Sequence, residues 1–198
     1  MSGALDILNR LVAALQTLPG IGAKTAERLA YHVLRTGNDA ALELAEAIRE
    51  VKERIGQCPI CFHLSDGGPC AICADVSRDH AVIMVVEQPK DVIAFERLGS
   101  YRGVFHVLQG RVAPLDGTET DDLTIPALLA RIEVGGVEEV IVASNPDLEG
   151  DGTALYLSAA LGRHGVKVTR IARGIPAGSA IEFASPVILR DALEGRSS

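Results

Sequence analysis

Apolar residues recur at helical spacing through the first third of the chain. A stripe of leucine and valine predicts a first helix, and its members are Leu5, Leu8, Leu11, Val12, Leu15 and Leu18. Proline and glycine at 19–22 interrupt the pattern, which resumes over 23–34. After a second break at 37–39, apolar positions from 42 to 51 predict a third helix. The region up to residue 55 is therefore predicted to be helical.

The pattern changes after residue 79, where short continuous apolar runs alternate with helical stretches. The runs are typical of buried strands and lie at 81–86, 104–108, 140–143 and 166–171. Helical patterns separate them at 92–98, 123–132 and 153–163. Strands that alternate with helices predict an α/β layer built on a mostly parallel sheet.

The acidic excess is confined to the later part of the chain. The 198 residues carry a net charge of −7, yet residues 1–57 hold seven basic and seven acidic side chains. Residues 58–198 hold twelve basic and nineteen acidic ones. Between Lys24 and Arg35 there is a local excess, with three bases and one acid. We therefore expect any contact with nucleic acid there, and we expect several copies to act together because few cations give weak binding.

The composition is that of an ordinary folded protein, with 47% hydrophobic and 23% charged residues. The sequence has no run of about 18 apolar residues, so no membrane partner is expected. The start, MSGALDILNR, places charged residues early, unlike a secretory signal. These features predict a cytoplasmic protein.

The segment 18–28 has the composition of a hairpin that contacts a phosphate backbone. Gly20 and Gly22 can adopt positive φ, and they place no side chain between the backbone and a ligand. The amides ahead of the next helix, together with the positive end of its dipole, can face a phosphate. Lys24 and Arg28 share one face of that helix. The segment resembles the helix-hairpin-helix of DNA repair proteins; the alternative is a structural corner whose glycines only make the turn.

Four cysteines form two CxxC pairs separated by eight residues, and they are Cys58, Cys61, Cys70 and Cys73. Four thiolates in two such pairs complete the closed tetrahedron of a structural zinc site. Asp, Gly and Pro at 66–69 provide a turn that lets the pairs converge. A redox role is the alternative, but the spacing favours zinc, with His63 outside the ligand set.

Acidic residues follow two of the predicted strands. Glu87 ends the first strand, and after the third come Asn145, Asp147 and Glu149. Ligands in open α/β sheets bind at the carboxyl ends of strands, and oxygen ligands suit Mg²⁺. The pattern resembles the Toprim domain of topoisomerases, primases and small nucleases, in which an Asp stands in place of Asn145. A neutral amide there lowers the expected affinity to weak Mg²⁺ binding; the alternative is that Glu87 and Glu149 only cap or pair within their loops.

The order of these three features resembles the RecR family of bacterial recombination mediators over almost the whole chain. Further matching stretches are Phe105–Gly110, Ala113–Gly117, Arg170–Pro176 and Ala192–Arg196. The resemblance implies a protein without enzymatic activity that forms a ring-like tetramer through its terminal regions and binds single- and double-stranded DNA. It also implies that the protein helps RecO and RecF to load RecA onto single strands.

The resemblance further assigns roles to particular residues. The glycine turn with Lys24 and Arg28 matches the DNA-contacting hairpin, and the four cysteines match the zinc ligands. Glu87 and Glu149 match the Toprim acids, as a contact region for RecO or RecF. Asp147 departs from the family, which more often has a neutral residue there, and it leaves room for weak metal binding.

The predicted divisions are a helix-hairpin-helix region at 1–55, a zinc module at 56–79, a Toprim-like domain at 80–175 and a C-terminal segment at 176–198 that serves as an oligomer contact. Other functions stay open. A small Toprim nuclease would hold Mg²⁺ with Glu87 and Asp147, but Asn145 and the lack of an evident general base count against it. A pure scaffold would use the hairpin to contact protein only. A topoisomerase is disfavoured because the chain is too short for strand-gating domains.

Overall fold

The computed structural model describes residues 3–196, and the chain divides into two compact units. One unit comprises Met1–Arg54 and is called the hairpin unit below; the other comprises Ile55–Ser198 and is called the sheet unit. The division falls where the helical pattern of the sequence ends and the cysteine-rich segment begins.

Three helices form the hairpin unit: α1 (Gly3–Gln16), α2 (Ala23–Arg35) and α3 (Asn38–Arg54). α1 packs against α2. Of the residues described in this unit, only Ala26 and Ala30 are buried, both on α2. The stripe of α1 is at most half-buried, and Leu42, Ile48 and Val51 of α3 are exposed. The hairpin unit therefore buries little apolar surface by itself.

The sheet unit begins with very short elements around the cysteines. They are β1 (Gly56–Gln57), its antiparallel partner β2 (Leu64–Ser65) and the helix α4 (Ala71–Ala74). Strands of two residues cannot support a core of their own. The four cysteines form the buried cluster of this segment, with Ile72 packed against them. The fold of the zinc module therefore depends on what joins its cysteines.

The rest of the sheet unit alternates strands and helices around one four-stranded sheet. Its elements are β3 (Asp79–Val86), α5 (Pro89–Glu96), β4 (Gly103–Val107), α6 (Ile125–Glu133), β5 (Glu139–Ala143), α7 (Leu148–Leu161), β6 (Lys167–Arg170) and α8 (Pro186–Glu194). All pairings are parallel, in the order β4-β3-β5-β6. The chain goes from β3 out to β4 and then returns to the far side of β3 for β5. Such a reversal opens a crevice at the carboxyl ends of β3 and β5.

Successive residues of the central strand face two different cores. Val85 packs in one core with Leu128 of α6 and Leu157 of α7. Val86 packs in the opposite core with Val92 of α5. Both faces of the sheet are covered, which explains why its strands are continuous apolar runs in the sequence.

The structure confirms the predicted α/β fold, with N-terminal helices, a four-cysteine cluster and a parallel sheet flanked by helices. The predicted strands overlap β3, β4, β5 and β6. α7 starts at Leu148, earlier than the predicted 153, because Asp147 caps its first turn. α8 lies in a segment for which the pattern predicts no element. The finer boundaries at residues 79 and 175 stay predictions.

Candidate functional site

A hydrogen-bonded pair fills the crevice between β3 and β5. Glu87, directly after β3, is buried. Its Oε1 accepts the backbone N–H of Asn145 at 2.8 Å, and its Oε2 accepts Nδ2 of the same residue at 2.6 Å. Because a carboxylate can only accept, the amide of Asn145 must turn its NH₂ group toward Glu87. At position 145 a neutral amide therefore donates to the carboxylate of Glu87. An aspartate at this position would place two negative charges side by side and would need a cation between them.

A glycine in the first turn of α7 lets that helix approach the crevice. Asp147 is the N-cap of α7, and its Oδ1 accepts the N–H of Gly150 at 2.8 Å. A Cβ at residue 150 would overlap the carbonyl oxygen of Asn145, so only glycine fits. The Ser144 hydroxyl also donates to the carbonyl oxygen of Gly150 at 2.9 Å. The start of α7 is thus tied closely to the end of β5.

An arginine that the sequence did not single out bridges two of the predicted site acids. Nη1 of Arg111 donates to Oδ2 of Asp147 at 2.6 Å, and its Nη2 pairs with Oε2 of Glu149. Beside it, the N–H of Val112 donates to the hydroxyl of Thr153 at 2.9 Å, which fastens the same loop to α7. A guanidinium therefore lies between the two carboxylates that the sequence offered to a divalent cation.

Asp151, also in the first turn of α7, has two further arginine partners. Nη2 of Arg170 donates to its Oδ1 at 2.6 Å, and Nη1 of Arg173 donates to its Oδ2 at 3.0 Å. Hydrogen bonds from Arg173, and then from Arg170, lower the pKa of Asp151 to about 2. Every acid from 147 to 151 thus has an arginine partner. Within residues 3–196, the cysteines are the one group of side chains arranged to hold a metal ion.

The cysteines converge as their spacing predicts. All four are buried, and their Sγ atoms lie within 4.8 Å of one another. A tetrahedron with zinc–sulfur bonds of about 2.3 Å has sulfur–sulfur edges of about 3.8 Å. The distance between the Sγ atoms of Cys61 and Cys70 is 3.5 Å. Donor set, burial and spacing therefore fit zinc, which Cys58, Cys61, Cys70 and Cys73 would hold.

The electrostatics of the cluster favour a bound cation. Burial alone would raise the pKa of the Cys58 thiol, but hydrogen bonds, chiefly from the backbone amides of Cys70, Cys61 and Ile60, lower it to about 7. A hydrogen bond with the Cys73 side chain, together with burial, raises the pKa of Cys61. Thiols this close cannot all ionise unless a cation offsets their repulsion. Zinc would supply that charge.

The zinc module is fastened to the edge strand β4. The carbonyl oxygen of Cys61 accepts the N–H of Val107 at 2.8 Å, and the ring of Phe62 packs edge-on against His106 with centroids 5.4 Å apart. His106 is fully buried, with Nε2 3.1 Å from the carbonyl oxygen of Thr124. Burial lowers the pKa of His106 to about 4. His106 therefore packs as a neutral structural residue at this junction.

The two glycines of the hairpin turn differ in conformation. Gly20 has φ +81°, in the left-handed region that favours glycine. Gly22 is the N-cap of α2 with φ −83°, so it does not use the positive φ that glycine allows. Gly22 has no side chain that could cap the helix. The backbone N–H groups of residues 23–25, at the start of α2, therefore receive no capping hydrogen bond from it. The first helical closure is the N–H of Ala26 to the Gly22 carbonyl, at 2.9 Å.

Lys24 and Arg28 lie exposed on the first two turns of α2. Among the described residues, neither forms an ion pair. Arg49 on α3, by contrast, pairs with Glu46 and Glu53. The start of α2 thus combines open amides, the positive end of a helix dipole and two unpaired cations. This arrangement suits a phosphate group.

Apolar surface stays uncovered in both units. A groove of about 390 Å³ runs between α1 and α2, with Leu8, Leu11 and Leu34 in its lining. Across its described length α8 has no buried residue, and it exposes Val187 and Leu193. Between residues 3 and 196, no helix combines the length and apolar character needed to span a lipid bilayer. Apolar faces of this kind are typical of surfaces that bind other chains or ligands.

Models of known protein families match three successive parts of the chain. The RecR helix-hairpin-helix matches residues 8–52, and the RecR zinc finger domain, which is defined by four cysteines, matches residues 55–75. The Toprim domain matches residues 81–172. These matches coincide with the three N-terminal helices, the cysteine cluster and the parallel sheet.

Curated relatives match at about half identity over nearly the whole length. Recombination protein RecR of Rhodopirellula baltica is 49% identical over 196 residues, which cover 99% of this chain and 98% of the relative. The protein of that name from Roseiflexus sp. is 50% identical over 187 residues, covering 94% and 91%. The one from Syntrophotalea carbinolica is 51% identical over 188 residues, covering 95% and 94%. This chain therefore belongs to the RecR family of recombination proteins, and its four clustered cysteines lie in the zinc finger domain of that family.

Proposed function

We propose that this protein is a non-enzymatic, DNA-binding mediator of recombinational repair that helps RecO and RecF to load RecA onto single-stranded DNA. Membership of the RecR family supports the role in recombination, and the partners are those that the family resemblance implies. The observation that carries the proposal is the exposed start of α2, with its open amides and unpaired cations.

The hairpin would hold the sugar–phosphate backbone and not read bases. Gly20 and Gly22 would let the backbone approach a phosphate, while Lys24 and Arg28 flank it. Contacts to phosphate carry no sequence information, so both single- and double-stranded DNA are proposed ligands. A single hairpin neutralises few phosphates, and its affinity would be low and sensitive to salt.

Several copies acting together would supply the missing affinity. We infer a homotetrameric ring, held through the hairpin unit and through the segment 176–198. The uncovered groove between α1 and α2 supports this inference. So does α8, because an isolated helix of nine residues is marginal in water without packing. Hairpins linked in one ring gain affinity through their effective concentration.

The Toprim acids would recruit partners instead of reacting. In the nuclease alternative Glu87 and Asp147 hold Mg²⁺, but both oxygens of Glu87 accept from Asn145, and Arg111 pairs with Asp147. Weak Mg²⁺ binding would require Arg111 to leave. We therefore assign contact with RecO or RecF to this region, through Glu87, Asn145, Asp147 and Glu149.

The proposed division of labour follows the boundaries expected from the sequence. Residues 1–55 would bind DNA, 56–79 hold zinc, 80–175 meet partners and 176–198 join copies. We place the protein in the cytoplasm, because a reducing compartment keeps four cysteines available as zinc ligands.

The double variant Lys24→Ala/Arg28→Ala tests the hairpin. Binding to a fluorescent single strand and to a duplex of the same sequence is measured by anisotropy at several salt concentrations. We expect the affinity of the variant to fall at least tenfold for both ligands. The slope of log affinity against log salt should become shallower, by about one for each phosphate that the variant no longer neutralises.

The matched control is Lys52→Ala/Arg54→Ala, which removes the same charge from α3 in the same unit. It should bind nearly as the parent does. An equal loss of DNA affinity in both variants would show that net charge, and not the hairpin, determines binding. Unchanged DNA affinity in the hairpin variant would contradict the proposal. Incubation of the parent with DNA and Mg²⁺ should leave every strand intact; cleavage abolished by Glu87→Ala would favour the nuclease.

A further inference from the structure

α7 is apolar on two opposite faces. Its inner face packs in the core through Ala154, Leu157 and Leu161. Its outer face carries Leu148 and Leu155, whose exposed fractions are 88% and 73%. A helix that is apolar all round is normally buried on every side. In the described part of the sheet unit, nothing covers the outer face of α7.

The outer face of α7 is one wall of an apolar groove of about 550 Å³. The opposite wall is the loop 112–115, which ends at the fully exposed Leu115. The stripe on α7 comprises Leu148, Gly152, Leu155, Tyr156 and Ala159. At a rise of about 1.5 Å per residue this stripe is about 16 Å long, or three turns. A facing helix of three turns matches it, as in other helix-in-groove complexes.

Internal contacts hold the two walls of the groove in place. Arg111 joins the base of the loop to Asp147 and Glu149 at the start of α7. The N–H of Val112 donates to Thr153 one turn further along α7. Because the walls are already fixed, a ligand would not have to order them on binding.

The surroundings of the groove are acidic. The segment 112–122, which supplies the loop wall, contains no Lys or Arg, and its acids are Asp116, Glu119, Asp121 and Asp122. α7 has no basic residue between 148 and 161, but its Glu149 and Asp151 are paired with arginines, so among residues 3–196 the unpaired acids of the groove belong to the segment 112–122. This field repels a phosphate backbone, which disfavours DNA as the occupant. It also disfavours the same groove of a second copy, because that groove carries the same acidic segment.

We propose that this groove receives an amphipathic helix of a partner protein, whose apolar side chains lie along α7 and whose Lys and Arg residues face the acidic rim. The inference rests on the proposed function, since Glu149 belongs to the region assigned to partners, and it adds the chemistry of that contact. The long apolar stripe on α7 favours a helical ligand, and the acidic rim favours one with basic residues beside its apolar face.

The probe is a synthetic 18-residue amphipathic helix with a leucine stripe flanked by lysine, labelled for fluorescence anisotropy. A second peptide has glutamate at the same flanking positions. Each is titrated with the full-length parent, with Leu155→Arg and with Val134→Arg. Val134 is 90% exposed and lies beyond the end of α6, so its variant carries the same added charge on a different surface.

The lysine peptide should bind the parent and Val134→Arg alike, and Leu155→Arg should weaken it at least tenfold. The glutamate peptide should bind at least tenfold more weakly than the lysine peptide. Equal weakening by the two arginine variants would mean general charge attraction and would overturn the proposal. A lower mass in solution for Leu155→Arg alone would show that a second copy covers the groove, and would also overturn it.

DNA binding is measured on the same samples, so that the two proposals fail separately. Leu155→Arg should bind DNA as the parent does. If the peptide does not bind while DNA binding still depends on Lys24 and Arg28, the groove proposal alone fails. If peptide binding depends on Leu155 but DNA affinity is unchanged in the Lys24→Ala/Arg28→Ala variant, the proposed function alone fails.

Discussion

The candidate site residues of the two units differ in whether their polar groups have internal partners. In the sheet unit, Glu87 and the acids at the start of α7 each have partners within the unit. In the hairpin unit, Lys24 and Arg28 have no ion-pair partner among residues 3–196. A ligand that binds polar groups with internal partners must first break their hydrogen bonds. A ligand that binds polar groups without such partners has only water to displace.

The same contrast holds for apolar surface. The sheet unit buries two cores on the faces of its sheet, while the hairpin unit buries two alanines among its described residues. Stability is therefore expected to reside in the buried cores of the sheet unit, and association with DNA or other chains at the surfaces that stay uncovered, which are the hairpin unit, α8 and the outer face of α7. Perturbing the satisfied groups should destabilise the fold, and perturbing the unsatisfied ones should affect binding.

The largest effect should come from breaking the zinc site with Cys61→Ser. Loss of one ligand removes the cross-link of a segment that has no other core. We expect zinc content to fall and the free energy of unfolding to drop by about 3 kcal/mol or more. Metal analysis and urea unfolding measure both. His63→Ala, a change within the same loop, should retain zinc; full zinc content in Cys61→Ser would contradict the assignment.

Gly150→Ala should come next. Its Cβ would overlap the carbonyl oxygen of Asn145, so the crevice must deform. We expect a loss of about 2 kcal/mol in the free energy of unfolding, in the range for overpacking. Gly152→Ala is the control two residues on, where the structure places no described atom within 4 Å of the new Cβ. That change should be neutral or stabilising by up to about 1 kcal/mol; equal effects would refute the close approach.

Acid should weaken the sheet unit through His106. The pKa of His106 is lowered from 6.5 to about 4 by burial, so the unfolded chain binds a proton that the native state excludes. The stability that comes from keeping His106 neutral is fully present above pH 6.5 and is lost as the pH falls toward 4. At pH 5 the loss in the free energy of unfolding should be about 2 kcal/mol. Urea unfolding at pH 7 and pH 5 measures it. The acid-induced loss should shrink in His106→Gln, with zinc content checked at both values; an unchanged loss would exclude His106 as its source.

The smallest effect should come from leaving Asp147 and Glu149 without their shared arginine partner. Arg111→Met removes the guanidinium between Asp147 and Glu149. The acids then lack a cation, and 10 mM Mg²⁺ should stabilise the variant by about 1 kcal/mol. That change corresponds to a rise of about 3 °C in Tm. Thermal unfolding of the parent and of Arg163→Met should not respond to Mg²⁺; a parent that responds equally would show that Arg111 does not block the site.

Local patterns in the sequence were enough to predict the fold class and the zinc site. Strands buried on both faces are continuous apolar runs, and the helices between them show helical spacing of apolar residues. Each strand from β3 to β6 can therefore be predicted from its own local sequence. The zinc ligands are legible because two CxxC pairs lie within sixteen consecutive residues, 58–73. The family resemblance also follows from such motifs in order.

Tertiary structure decided how the predicted acids are used. Arg111 meets Asp147 across 36 residues of sequence, and Arg170 meets Asp151 only because β6 lies beside β5. The start of α7 was missed because its glycines mask the helical pattern, while a cap and a close approach to Asn145 set it in space. Spacing along the chain reports neighbours within a few residues, whereas these pairings depend on the order of strands in the sheet and on where one loop crosses α7.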